Sequence, residues 1–481
     1  MKRNILFAVL SFCSFLCHAQ QAWVVDTTFR TNLQYRSITD IEFYDDYILI
    51  SGLLKFSTVF TPCGSAKIDY SGNLIECFSG GGGVVPWSDR YYIGIGQSVF
   101  RMFQTGLPDN SFAISSPFYY PVDGGQFVVL PDDKVLVTGG RDLYSTVDTS
   151  LIGGNFCLTR YDTLGNLDTT FQHRQCQNGV ALRIVASPDG KFLLSGVQGM
   201  FDGQPVGRIF RVLPDGALDT TFHTNIDFGS ATDYYFYNDG RILASGWFHT
   251  PDIPNDTLGL VRLMPDGSID PTFNYDLRFR LFSNSLSLGV VQGMYTLDSA
   301  TILLGGSFAT LNEEWVGGVC AIDTSGNVLP EYFPGTNCDT IIGPNPGIIA
   351  LGMRDFEMGP DGMLYAYGFF HGFDDGYQNH PDQTMIIRLK QVNVGVEEQR
   401  LTSGRLVLQP NPGSDLLVLQ FANLAPNGTL EVLDMDGRLV HTAPVRSPVL
   451  QLDVSVWAPG LYAVRYAGKD GTSLTERWVK Q

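Results

Sequence analysis

A single motif, repeated nearly from end to end, limits this chain to very few folds. Its fullest copy spans residues 187–222, SPDGKFLLSGVQGMFDGQPVGRIFRVLPDGALDTTF. The first half is a Pro-Asp-Gly turn and an apolar run closing on Ser-Gly. The second is an Arg-bearing run, another Pro-Asp-Gly turn and Asp-Thr-Thr-Phe. Asp168, Asp219 and Asp270, equivalent in three successive copies, stand 51 residues apart. Pro presets φ, the Asp side chain closes a tight turn and Gly accepts positive φ, so each turn reads as the tip of a hairpin. Four short strands in a repeat of roughly 40–50 residues mark a β-propeller blade.

The first half-module recurs seven times, closing on Gly52, Gly96, Gly139, Gly196, Gly246, Gly306 and Gly368. Its hairpin supplies strands a and b. The second half, strands c and d, is clear at residues 160–171, 211–222 and 262–273, degraded at 67–78, 101–112 and 321–333, and only begun at Arg388. Seven modules predict seven blades. The seventh lacks its ending, and a matching one, Trp23-Val-Val-Asp26-Thr-Thr-Phe29, stands near the other end of the chain. That segment is expected as the outer strand of the last blade, closing the ring. The repeated Phe is expected in the core. The basic residue repeated at Lys67, Arg101, Arg160, Arg211, Arg262 and Arg388 is expected to pair with the repeated Asp.

This pattern of Pro-Asp-Gly, Ser-Gly and Asp-Thr-Thr-Phe resembles the delta-60 repeat family. The resemblance covers roughly residues 23 to 390 and is strongest in the middle copies. It implies a β-propeller and brings no established activity.

The chain ends add a cellular address. Lys2 and Arg3 precede an apolar run over residues 5–16, and Cys17-His18-Ala19 places small residues where a signal peptidase needs them. Cleavage is expected between Ala19 and Gln20. The bulky Phe15-Leu16 argue against Cys17 as a lipoprotein cysteine. No later apolar run reaches the ~18 residues of a membrane span. Six cysteines remain, and they fall as neighbours: Cys63/Cys77, Cys157/Cys176 and Cys320/Cys338. Each pair brackets a c–d hairpin, so three local disulfides are expected in an exported chain. A formal charge of −18 disfavours nucleic acid and anionic membrane as partners.

Hairpin geometry separates two faces of the disc. The a–b and c–d turns are short and uniform; the b–c loops and d–a connections, on the other face, are long and unlike one another. Variable loops on a rigid scaffold are where binding usually lives. The candidates are Trp247, Phe248, Trp315, Phe369, Phe370 and Tyr377, with Asp252, Asp256, Asp374 and Asp375. His371 and His380 share a loop with Asp374 and Asp375, but their spacing matches no metal-ligand pattern, so no metal and no cofactor is expected. Nucleophile-elbow, zincin and phosphate-loop motifs are absent. A pair of carboxylates far apart in sequence stays open as a catalytic possibility.

After a polar stretch at 396–404, seven short alternating strands over residues 405–481 predict a small β-sandwich. Pro410-Asn411-Pro412, Asp436-Gly437-Arg-Leu-Val440, Trp457-Ala-Pro-Gly460-Leu-Tyr462 and the basic end Arg477-Trp-Val-Lys480 resemble the type A C-terminal sorting domain of type IX secretion. That resemblance implies passage by the signal peptide, then export by the type IX machinery to the cell surface or medium. The expected order is therefore a signal peptide at 1–19, an all-β, seven-bladed propeller at 20–395, a linker at 396–404 and a sandwich at 405–481. The leading functional reading is a monomeric surface or secreted propeller that binds glycan or protein through its loop face. A secreted polysaccharide lyase or glycoside hydrolase with its site over the central channel is the alternative, and a structural surface-layer component is a third.

Overall fold

The computed structural model describes residues 20–78, 84–95, 98–112, 114, 127–144, 150–254, 257–281, 288–338, 341–342, 349–350, 352–394, 405–422, 426–435, 437–469 and 473–481. The expected signal segment with Ala19, the 396–404 linker, Asp256 and Asp436 lie outside those residues. Two compact units emerge, one of Trp23–Lys390 and the other containing Gln391–Gln481. The described residues are all-β, apart from one 3-10 turn at Pro330–Tyr332.

In the first unit the modules fold as antiparallel meanders in the order a-b-c. The a strands are Leu33–Phe43, Val84–Trp87, Phe127–Val129, Ala181–Ala186, Phe228–Phe236, Val290–Thr296 and Gly352–Met358. The b strands are Ile48–Phe56, Arg90–Ile95, Val135–Tyr144, Phe192–Gly196, Ile242–His249, Thr301–Ser307 and Leu364–Asp374. Apolar clusters fill the joints between successive modules. Phe222, Ile242 and Val261 pack on Leu193 and Ile209, for example, and Phe356 and Ile387 on Leu303 and Val319. The circuit returns to its start, because Ile41, Ile50 and Phe56 of the first module share a cluster with Tyr365, Tyr367 and Ile386 of the last.

The expected strand d survives only in part. It is a full strand, Leu74–Phe78, in the first module, and elsewhere shrinks to single bridges such as Tyr161↔Leu167, Val212↔Leu218 and Leu263↔Ile269. The cause is the repeated Asp. Asp219 Oδ1 accepts the Thr221 N–H at 3.0 Å and its hydroxyl at 2.6 Å, which turns the chain out of the ladder. The first module has Ile75 there, and its strand runs on. The last module borrows its ending as expected: strand Gln20–Val25 joins Asn379–Val394, and the Asp26 N–H donates to the Arg388 carbonyl at 2.8 Å.

The recurring Arg and Asp do pair: Arg101–Asp109 at 2.7 Å, Arg160–Asp168, Arg211–Asp219 and Arg262–Asp270 at 2.8 Å, and Arg388–Asp26 at 2.7 Å. The guanidinium also lies over the repeated Phe, 4.6 Å from the Phe222 centroid for Arg211. A second cation, the residue just after the a–b turn, completes several boxes: Lys191 reaches Asp219 at 2.9 Å and Arg241 reaches Asp270 at 3.2 Å. The box also fastens neighbours together. Arg388 donates to the Tyr70 carbonyl of the next module at 2.7 Å, Arg262 to that of Thr324 at 2.5 Å, and the His223 N–H to that of Asp266 at 2.7 Å.

Two of the expected disulfides are formed, Cys63–Cys77 and Cys157–Cys176, with Cα atoms 5.7 and 5.5 Å apart. The Cys320–Cys338 bridge is not. Cys320 stays in its own meander opposite Leu304, whereas Asn337–Cys338 crosses to pair with Leu364–Asp374 of the next module, opposite Phe373. That handover puts the two sulfurs in different apolar clusters.

The second unit has two antiparallel sheets. One orders Arg405–Gln409, Leu416–Ala422 and Val449–Asp453; the other orders Leu439–Val445, Gly428–Leu433, Gly460–Gly468 and Ser473–Lys480. Leu417, Leu419, Leu430, Val432, Tyr466 and Trp478 fill the space between them. The Pro410-Asn411-Pro412 segment clasps the last strand. The Trp478 indole N–H donates to the Pro410 carbonyl at 2.6 Å, Asn411 bridges Arg477 and Val479, and the Lys480 ammonium meets the Ser414 carbonyl. Tyr462 hydroxyl closes its own turn on the Ala458 carbonyl at 2.7 Å, and Gly437 takes φ +76 at the Asp434 turn.

Candidate functional site

Several candidates from the loops prove to be scaffold. Phe248 and Phe370 are fully buried, in the clusters between modules, and so correct the expectation that they face a ligand. Asp374 and Asp375 are likewise buried, because the expected Phe369–Thr384 loop is a hairpin extension whose turn they close. Asp375 accepts the Tyr377, Gln378 and Val25 N–H groups at 2.9, 2.7 and 2.9 Å, with His380 at 3.2 Å; Asp374 accepts the Thr336 hydroxyl at 2.9 Å. Trp315 is half-buried and donates to the Thr336 carbonyl at 3.0 Å, and exposed Asp252 is met by Asn225 at 3.3 Å. The loops are occupied for a physical reason. Several b–c excursions pair with the segment that follows the previous box, as Met200–Phe201 does with Arg174–Gln177 and Thr310–Leu311 with Phe279–Arg280.

What stays exposed has its own regularity. The residue just after the Gly of Ser-Gly is Leu53, Val197, Trp247, Ser307 or Phe369 in five modules. Leu53, Val197 and Trp247 are exposed at 54, 48 and 44% despite being apolar, and Phe369 is half-buried. Phe228, 64% exposed, lies diagonally across from Trp247, since Phe228 pairs with His249 and Ser230 with Trp247. These side chains form an apolar collar at the loop end of the inner hairpins.

Beneath the collar every one of these hairpins carries a β-bulge. The register slips between Ile38 and Asp40, Ala181 and Arg183, Ala231 and Asp233, Val291 and Gly293, and Met353 and Asp355. The Gly of Ser-Gly is what lets the bulge close. A Cβ on Gly52 would sit 2.3 Å from the Ser37 carbonyl oxygen, and one on Gly246 2.2 Å from that of Ser230. The extra residue re-aims the next one, so Asp40, Arg183, Asp233 and Asp355 stand at one level, opposite Ser51, Ser195, Ser245 and Tyr367.

These charges converge on one interior volume lined by the a strands. Asp40 accepts the Val84 N–H of the next module at 3.1 Å, and Asp233 the Met294 N–H at 2.8 Å. Arg354 acts electrostatically on both Asp40 of the first module and Asp233 of the fifth. Burial pushes the Asp40 carboxyl up to about 7, with Glu357 adding to it and the Val84 N–H and Arg354 opposing. Burial raises Glu42 to about 8, helped by Asp40 and Glu357. Asp233 and Asp355 are also raised by burial, and the Asp233 charge adds to the effect on Asp355. Asp40, Glu42, Asp233 and Asp355 each keep some accessible surface. Sequence reasoning missed this belt. Its signal was a charged residue at a fixed place in an otherwise apolar strand, as in Ile-Thr-Asp40-Ile-Glu42 and Met-Arg354-Asp355-Phe-Glu357. Among the described residues no three His, Cys, Asp or Glu gather closely enough to hold a metal ion.

Residues 187–222 and 238–273 match the family described as "Domain of unknown function (DUF5122) beta-propeller", and residues 407–481 match the "Secretion system C-terminal sorting domain". The chain thus carries β-propeller repeats and the tail that directs type IX export to the cell surface or extracellular space. Similar solved structures include PorZ, an essential bacterial surface component of the type IX secretion system of Porphyromonas gingivalis. It is 10% identical at a TM-score of 0.38 over 92% of this chain and 59% of that one. The extracellular domain of the putative one component system BT4673 from B. thetaiotaomicron is 11% identical at a TM-score of 0.28, over 92% and 61%. A fungal alcohol oxidase of the AA5 family is 11% identical at 0.25, over 96% and 97%. The chain spans about three fifths of the length of the first two. No curated protein matches it.

Proposed function

We propose that Trp23–Lys390 is a seven-bladed propeller that binds an extracellular glycan or protein through its loop face, after delivery there by the type IX machinery acting on the C-terminal unit. The observation that carries this reading is the collar: apolar side chains held in solvent at equivalent places of several modules, where the scaffold gains nothing from them. Trp247 and Phe228 are neighbouring exposed aromatic side chains of a kind suited to a sugar ring or an apolar side chain. Box residues on the opposite face are consumed in holding modules together. The test is a glycan and protein array probed with the exported chain, then with Trp247→Ala and Phe369→Ala. Loss of a specific ligand in either variant supports the reading; unchanged binding in both removes these residues as the site.

A second reading, a secreted polysaccharide lyase or glycoside hydrolase, is favoured by one observation. Asp233 and Asp355 are both held above the ordinary carboxylate range by burial, as a general acid requires. It predicts turnover of a polysaccharide that Asp355→Asn abolishes. Binding without turnover across a polysaccharide panel ends it.

A further inference from the structure

At the loop end of the fifth module a polar pair stands beside the exposed aromatic residues. Phe228 lies directly opposite His249 and Ser230 opposite Trp247, so these four side chains project from one face of the hairpin. His249 Nδ1 meets Asp227 Oδ1 at 2.7 Å, with the two side chains 41 and 53% exposed. A carboxylate only accepts, so the shared proton lies on Nδ1 and the neutral imidazole keeps Nε2 as an acceptor. Asp227 Oδ2 is a second acceptor. Neither of these two atoms has a hydrogen-bond partner among the described residues. Lys55, Gly199, Ala309 and His371 stand where this module has His249, so the blade does not depend on the pair.

The surrounding backbone holds this group in place. Arg208 of the preceding module donates to the Asp227 carbonyl at 3.0 Å and to that of Gln198 at 2.6 Å, and the Asp227 N–H donates to the His249 carbonyl at 3.2 Å. Gly229 takes φ +103, and a Cβ there would lie 2.5 Å from Trp247 Cδ1, so the indole rests against bare backbone. Held this way, Trp247 has little freedom left to lose when a ligand arrives.

We propose that Trp247, Phe228, His249 and Asp227 form a subsite for a neutral hexose unit of a glycan, whose ring packs on the aromatic side chains while its hydroxyls donate to His249 Nε2 and Asp227 Oδ2. The proposal rests on the loop-face reading and narrows it to a glycan. The polar atoms this subsite offers are acceptors, because Arg208 is occupied by carbonyls and the Asn225 amide by Asp252 at 3.3 Å. An extended peptide would leave its carbonyls without donors here, whereas a sugar hydroxyl both donates and accepts. The carboxylates of Asp227 and Asp252, on a chain of formal charge −18, disfavour uronate and sulfated sugars.

The probes are maltohexaose, cellohexaose, laminarihexaose and mannohexaose, titrated into the exported full-length chain by calorimetry, with hexagalacturonate as the anionic control. Saturable binding of a neutral hexaose, weakened about tenfold or more by Trp247→Ala and about fivefold by His249→Ala, supports the proposal. Should Trp247→Ala fail to fold, Phe228→Ala at an exposed position is expected to weaken binding about fivefold. Equal or tighter binding of hexagalacturonate, no binding of any neutral hexaose, or binding unchanged in these variants overturns it. A protein ligand lost in Trp247→Ala or Phe369→Ala, with no hexaose bound, leaves the loop-face reading standing and removes this one.

Discussion

Two sets of aspartates in the same propeller have opposite environments. Each box aspartate meets a guanidinium within 2.9 Å and a threonine or serine two residues on; each belt aspartate instead accepts a backbone N–H. Burial alone would raise the box acids, but the Thr or Ser and cation hydrogen bonds outweigh it: Asp270 is held down to about 2, and Asp109, Asp168 and Asp219 lower still. In the belt, burial wins. The Arg–Asp pair of the box recurs in five modules, because these joints need the same fastening. The belt varies, with Arg183 and Gly293 standing where other modules have Asp. Repetition marks what the scaffold requires, and variation at a repeated position marks what it leaves available.

That contrast can be broken most forcefully at two adjacent residues. Phe248 belongs to a Gly-x-Phe repeated at Phe308 and Phe370, while Trp247 occupies the varied position. Phe248→Ala should cost about 4 kcal/mol in denaturant unfolding and Trp247→Ala under about 1 kcal/mol. Similar losses would erase the distinction. Next in size, Asp219→Ala strands Arg211 and Lys191 and should cost about 3 kcal/mol, whereas Asp355→Asn should be neutral or stabilising near pH 8. A comparable loss at Asp355 would contradict the account.

The pH dependence of melting sharpens the comparison further. The box acids have lowered folded values, so their contribution is present above the unfolded carboxyl range near 4 and is lost as pH falls through the lower folded values. The belt acids have raised folded values. Their contribution is complete below about 4 and is lost as pH rises through about 7 for Asp40 and about 8 for Glu42. Stability should therefore peak in mildly acid solution and fall by on the order of several kcal/mol toward pH 9. Asp40→Asn with Glu42→Gln should flatten the alkaline side and leave the acid side unchanged. A decline that persists in that variant places its origin outside the belt.

Much of the scaffold was legible because it repeats. The Pro-Asp-Gly turns, the Arg–Asp pairing and the ring-closing role of Asp26 all follow from residues whose type admits few local geometries. The belt was hidden by the bulges. One extra residue, Thr39, Thr232 or Arg354, shifts the alternation, so a strict period of two assigns Asp40, Asp233 and Asp355 to the wrong side. The loop candidates failed for another reason. Composition suggests exposure for Asp374 and Asp375, but pairing with the preceding module buries them, and the same handover at Asn337–Cys338 prevents the third disulfide.

The carboxyl titration of selectively labelled aspartates, followed by NMR, tests the division between box and belt most directly. Asp40 should titrate near pH 7, while Asp219 should remain ionised well below the ordinary aspartate range. Asp40 titrating near 4, alongside an ordinary Asp219, would contradict it.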